Sequence, residues 1–109
     1  PRRMRPDTHI LGDVCEAIAV KELTAQGYFV YTTSQGTGPI DIVALAPGGE
    51  LLLLDVKSDS QRVNLGGKRP TRIYRKRSAL QKRLGVMICY VNAETEMIFI
   101  QAPEQQART

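Results

Sequence analysis

The chain has no tryptophan, one histidine, two cysteines and two phenylalanines among its 109 residues. A lone histidine, His9, near a helix start reads as a surface residue and not as a catalyst. Cys15 and Cys89 are far apart, with no CxxC pair and no Cys/His cluster, which argues against a zinc site. Both cysteines have apolar neighbours, so they read as core thiols of a reducing, cytoplasmic compartment. No apolar run approaches the roughly 20 residues that span a bilayer, so no membrane partner is expected. The polar, basic start Pro1–Arg5 lacks a signal-peptide pattern. This length fits one domain over residues 1–109, with a flexible basic arm at 1–6 and a flexible polar tail at 102–109. A core this small favours a homodimer or higher homo-oligomer.

What the chain does have is charge, unevenly placed. The net charge is +4. Residues 57–83 nevertheless hold ten Lys and Arg against one acid, Asp59, leaving the remainder net acidic. A segregated basic stretch is the footprint of a nucleic-acid binder, or else of a solvated basic helix. Within it, Tyr74 suits either stacking on an exposed base or packing in the core.

Hydrophobic periodicity lays out the elements. Asp7 or Thr8 caps a first helix running to about Gln26, with Ile10, Leu11, Val14, Cys15, Ile18 and Ala25 as its apolar face. Strands follow at 28–33, 39–46 and 50–58. Residues 59–71 form a basic loop, a second helix covers Arg72–Leu84, and two more strands lie at 86–91 and 96–101. The order αβββαββ predicts an α/β domain with one mixed sheet flanked by helices.

Three charges interrupt the sheet-like runs: Asp41, Asp55 and Lys57. Burying them is costly unless they are paired or hold a metal. Asp55 and Lys57 share a strand face because they are two apart. If Asp41 sits opposite Asp55, then Ala46 faces Glu50 and Pro47-Gly48-Gly49 becomes a three-residue hairpin loop with glycine available for positive φ. A two-residue loop would put Asp41 against Val56, on the wrong face unless a bulge corrects it. Two carboxylates about 4 Å apart repel by about 4 kcal/mol at an effective dielectric of about 20. A shared proton relieves that repulsion, and so does a hard cation with oxygen ligands, Mg²⁺ by preference. The Val56 carbonyl is a further candidate ligand. Glu16, at the margin of the helix's apolar face, is a candidate third carboxylate, and Glu22 competes with it.

Gly38-Pro39-Ile40-Asp41 and Asp55-Val56-Lys57, in this order and on adjacent strands, resemble the two halves of the PD-(D/E)XK nuclease motif. Ile40 departs from the motif by separating Pro39 from Asp41. Helix-borne Glu16, with Leu23 and Gly27-Tyr28, is similar to the opening of archaeal Holliday-junction resolvases and of small phage and intron-encoded nucleases. The resemblance implies a restriction-endonuclease-like mixed sheet and a metal-dependent endonuclease hydrolysing DNA phosphodiesters. It further implies Asp41, Asp55, Val56 and Glu16 as ligands of Mg²⁺, with Mn²⁺ substituting, and Lys57 as the group that positions water or stabilises phosphate charge. Arg62, Lys68, Arg69, Arg72, Arg75, Lys76 and Arg77 would hold the DNA backbone. Junction cleavage, sequence-specific homing or restriction-type cleavage, and a non-catalytic binding module are the alternatives on this fold.

Overall fold

A computed structural model of the chain describes residues 7–35, 37–59, 61–62, 71–72 and 74–101. Arm 1–6, tail 102–109, Lys68 and Arg69 lie outside the described residues, and Arg62 and Arg72 are described in backbone only. Helix α1 spans Asp7–Ala25, followed by strands β1 (Phe29–Thr32), β2 (Ile42–Leu45) and β3 (Leu51–Ser58). Two-residue strands β4 (Gln61–Arg62) and β5 (Thr71–Arg72) pair as a small ribbon. Helix α2 (Ala79–Leu84), β6 (Met87–Val91) and β7 (Ile98–Ile100) complete the order. The five longer strands form one sheet ordered β1-β2-β3-β6-β7, antiparallel except for the parallel β3–β6 pair. Apart from the ribbon, this is the αβββαββ mixed sheet expected.

Strand alternation sorts the sheet into two faces. One face presents Ile42, Ala44, Leu54, Cys89 and Val91, which bury against Cys15, Ile18, Ala19 and Leu23 of α1. Those helix positions follow the i, i+3, i+4, i+8 spacing of a helical stripe. The expected apolar face of α1 is corrected at its start, because Ile10, Leu11, Val14 and Ala25 are exposed. A 19-residue helix is about 28 Å long; here burial begins only at Cys15, so the first two turns add little to the core. Gly27 ends the helix at φ 99°, letting Tyr28 N–H donate back to Leu23 O at 3.1 Å.

The β2–β3 hairpin has the register that the loop chemistry favours. Ile42 pairs with Leu54 and Leu45 with Leu51. Ala46 N–H donates to Glu50 O at 2.8 Å, and Gly49 takes φ 99° in the three-residue loop. One feature was not expected. Asp41 N–H also donates to Leu54 O at 2.8 Å, one residue off the Ile42–Leu54 pair. The ladder therefore kinks at Asp41 in the manner of a β-bulge, and β2 begins after it.

The second helix is shorter than expected. Residues 74–78 are not helical, and α2 starts after Ser78. Ser78 Oγ accepts from Gln81 N–H while Gln81 Oε1 accepts from Ser78 N–H, a capping box that fixes the start. Leu80 and Leu84 are exposed, and the buried residue of α2 is Gln81.

Candidate active site

Asp55 and Lys57 lie on the sheet face opposite α1, as neighbours across the parallel ladder of Ile88 and Tyr90. The bulge delivers Asp41 to them. Asp41 Oδ2 accepts from Val56 N–H at 2.8 Å, crossing to β3 beside Asp55. From the other side α2 contributes Gln81, whose Nε2 donates to Asp55 Oδ2 at 2.9 Å and to Pro39 O at 3.0 Å. With its Oε1 engaged by Ser78, the Gln81 amide is held at both ends. It therefore locks one Asp55 oxygen and the strand entering Asp41 into one geometry. Sequence reasoning missed Gln81, although the Ser78-x-x-Gln81 spacing marks it as an N3 capping residue.

Burial raises the Asp41 carboxyl to about 6; the Val56 amide opposes the shift, while a hydrogen bond to Asp55, the Asp55 charge and, most weakly, the Glu16 charge reinforce it. Both acids line one hollow, and Asp41 is tied to the residue that follows Asp55. Lys57 Nζ stands 3.8 Å from Asp55 Oδ1, with its own side chain 41% exposed and that of Asp55 14%. That pair is loose and wet, worth little to stability, and leaves the ammonium accessible to an anion. Asp41, Asp55, Lys57, Lys76, Arg77 and Gln81 line one open hollow. Arg77 Nη1 donates to Val86 O at 3.0 Å, and its buried Nε has no hydrogen-bond partner among the described residues.

That hollow sits on a known framework. The fold resembles that of a bacterial homing endonuclease. The solved structure of I-Ssp6803I matches 96% of this chain and 72% of its own with a TM-score of 0.66 and 17% sequence identity. The expected nuclease-like α/β arrangement is thus the fold of this chain. No known protein-family model matches the sequence, and no curated protein matches it. At that identity the likeness to I-Ssp6803I speaks for the fold, and the chemistry rests on the residues.

Glu16 is half-buried on α1 and lines a separate hollow with Asp13, Ala17, Val20 and Thr32. Its charge reaches Asp41, but among the described residues no three acidic, histidine or cysteine groups form a metal-holding cluster. Glu22 instead stands 3.8 Å from Lys21. Of the expected phosphate-binding residues, Lys76 and Arg77 reach the hollow, while Arg75 is exposed beside them. The donor set present is two neighbouring carboxylates, of which Asp41 is raised chiefly by burial and further by Asp55. It fits Mg²⁺, which keeps several waters and needs one or two carboxylates from the protein.

Proposed function

We propose that this chain is a metal-dependent DNA endonuclease of the PD-(D/E)XK type. The observation that carries the reading is that Asp41, tied to Val56 N–H, and Asp55 line one hollow together with Lys57, Lys76 and Arg77. Two acids forced together call for a cation, and the basic rim calls for a polyanion. Asp41 and Asp55 would hold Mg²⁺ or Mn²⁺ with help from the Val56 carbonyl, and Glu16, whose charge is felt at Asp41, would be the third carboxylate. The cation would acidify a water at neutral pH and neutralise charge on the phosphate. Lys57 stabilises the charge that develops on the phosphate oxygens. Arg77 adds a guanidinium to the rim of the hollow, suited to a phosphate oxygen. Gln81 keeps Asp55 aimed. Backbone contacts by Arg75 and Lys76, and by Arg62, Lys68, Arg69 and Arg72 beyond them, set a salt-dependent affinity without sequence preference.

The likeness to a homing endonuclease favours cleavage of a particular DNA site as the second reading, beside cleavage of a junction. The free, buried Cys15 and Cys89 suit a reducing compartment. Cleavage of plasmid and of labelled junction and duplex DNA, with Mg²⁺, Mn²⁺ or EDTA, tests the proposal. Cutting should need the divalent ion. Asp41→Asn and Lys57→Ala should each lower it by about a hundredfold or more while DNA binding persists. Salt-sensitive binding with no cutting under any metal would instead make the chain a non-catalytic module.

A further inference from the structure

Segment 74–78 runs from the buried edge of the sheet to the capping box, and its first residue is unusual. Tyr74 is 55% exposed, whereas Tyr90 beneath it is fully buried. The two rings meet edge to face, with centroids 5.8 Å apart and planes at 88°. Whichever ring offers its edge, at least one face of Tyr74 is left uncovered by Tyr90. Tyr90 is itself fixed: it stacks on Phe99 at 6.3 Å, and its hydroxyl accepts from Arg75 N–H at 2.7 Å. Exposed Tyr74 is therefore held by a three-ring array and by a backbone bond at the next residue. A ring ordered beforehand loses little entropy when something stacks on it.

The surroundings say what that something is. Arg75 and Lys76 are exposed, and Lys76 and Arg77 line the hollow of Asp41 and Asp55. Lys57 pairs across the ladder with Tyr90 itself. An aromatic face set among cations suits a nucleobase on a phosphate backbone better than an apolar peptide. Tyr74 is two residues from Lys76, at most about 7 Å along the chain, or about two base steps of a DNA strand. In a regular duplex each base face is covered by its neighbours, so an unpaired base offers its face to a side chain at the least unstacking cost. We propose that Tyr74 is a stacking platform for such a base, which makes the substrate DNA carrying an unpaired nucleotide within a few steps of the cleaved phosphate. The inference rests on the nucleic-acid part of the reading above and not on catalysis.

The absence of tryptophan makes the test direct, because Tyr74→Trp introduces a single indole fluorophore. The protein carrying this change is titrated in EDTA with DNA bearing one unpaired nucleotide and with a fully paired duplex of equal length. Indole emission should be quenched by the first and little changed by the second. Tyr74→Ala should weaken binding of the first DNA by about tenfold and leave duplex binding and its salt slope unchanged, while Tyr74→Phe should behave like the parent. Equal quenching by both DNAs, or an alanine variant that loses no preference, overturns the inference. Absence of DNA binding at any salt overturns it together with the proposed function. Selective quenching of the Tyr74→Trp protein, with no cutting by the parent in Mg²⁺ or Mn²⁺, upholds the platform and overturns the nuclease.

Discussion

Asp41 carries the largest electrostatic conflict in the site. Burial and the neighbouring Asp55 carboxyl raise it to about 6, against an ordinary 3.8. The raised value means that the folded state binds a proton the unfolded chain releases. Its contribution to stability is therefore fully present below about pH 3.8 and is lost as pH rises through about 6. Without divalent ions, the thermal midpoint should fall across that window. Asp41→Asn should flatten the fall and melt about 4 °C higher at pH 7.5, an effect trimmed by solvent around the half-exposed group. Millimolar Mg²⁺ or Mn²⁺ should stabilise the parent and not the variant. Melting curves at several pH values check this; a parent whose midpoint is flat from pH 5 to 7.5 would contradict the shared burial of the two acids. The sequence showed which acids to watch because charges in apolar strands stand out. It did not show the Asp41 bulge, since an alternating pattern cannot say where the chain carries one extra residue.

At the scale of elements, the hairpin was readable and the second helix was not. A loop of Pro47-Gly48-Gly49 and a two-residue face repeat are enough to set the β2–β3 register. The reading of α2 followed a basic stretch from Arg72 that has little apolar periodicity, and it overran the true start by seven residues. The local signal was the Ser78–Gln81 capping box, which also builds the site. Ser78→Ala removes the cap and should cost about 1 kcal/mol. It should also loosen Gln81, so cleavage should fall further than that small change in stability explains. Gln81→Ala removes the donor to Asp55 and to Pro39 O together, at a cost of about 1.5–3 kcal/mol for the bond to the carboxylate. Urea unfolding alongside single-turnover cleavage separates the two effects. Full activity in Gln81→Ala would show that Asp55 needs no such support.

On the scale of the whole molecule, the two sheet faces are unequally covered. The α1 face is closed. On the other, α2 reaches Asp55, whereas Phe29, Tyr31 and Leu51 remain 55–57% exposed. The register sets these three on the same side as Val43, Leu45 and Leu53. An exposed apolar patch of this kind marks a contact surface, and a chain this short gains most from covering it. We assign it to a second copy of the chain. None of the six residues carries charge, so a twofold contact between two copies through this patch would bring no like-charge pair together. Asp55 and Lys57 follow Leu51 and Leu53 along the same face of β3. Phe29→Asp and Leu51→Asp place buried charges at such a contact and should each turn a dimer into a monomer in sedimentation velocity, with unchanged circular dichroism. Burying a Phe or Leu side chain is worth about 1.5–3 kcal/mol, and each change acts twice in a symmetric pair, so dimer affinity should fall at least a hundredfold. A parent that sediments as a monomer at 100 μM, or variants that stay dimeric, would move the interface elsewhere.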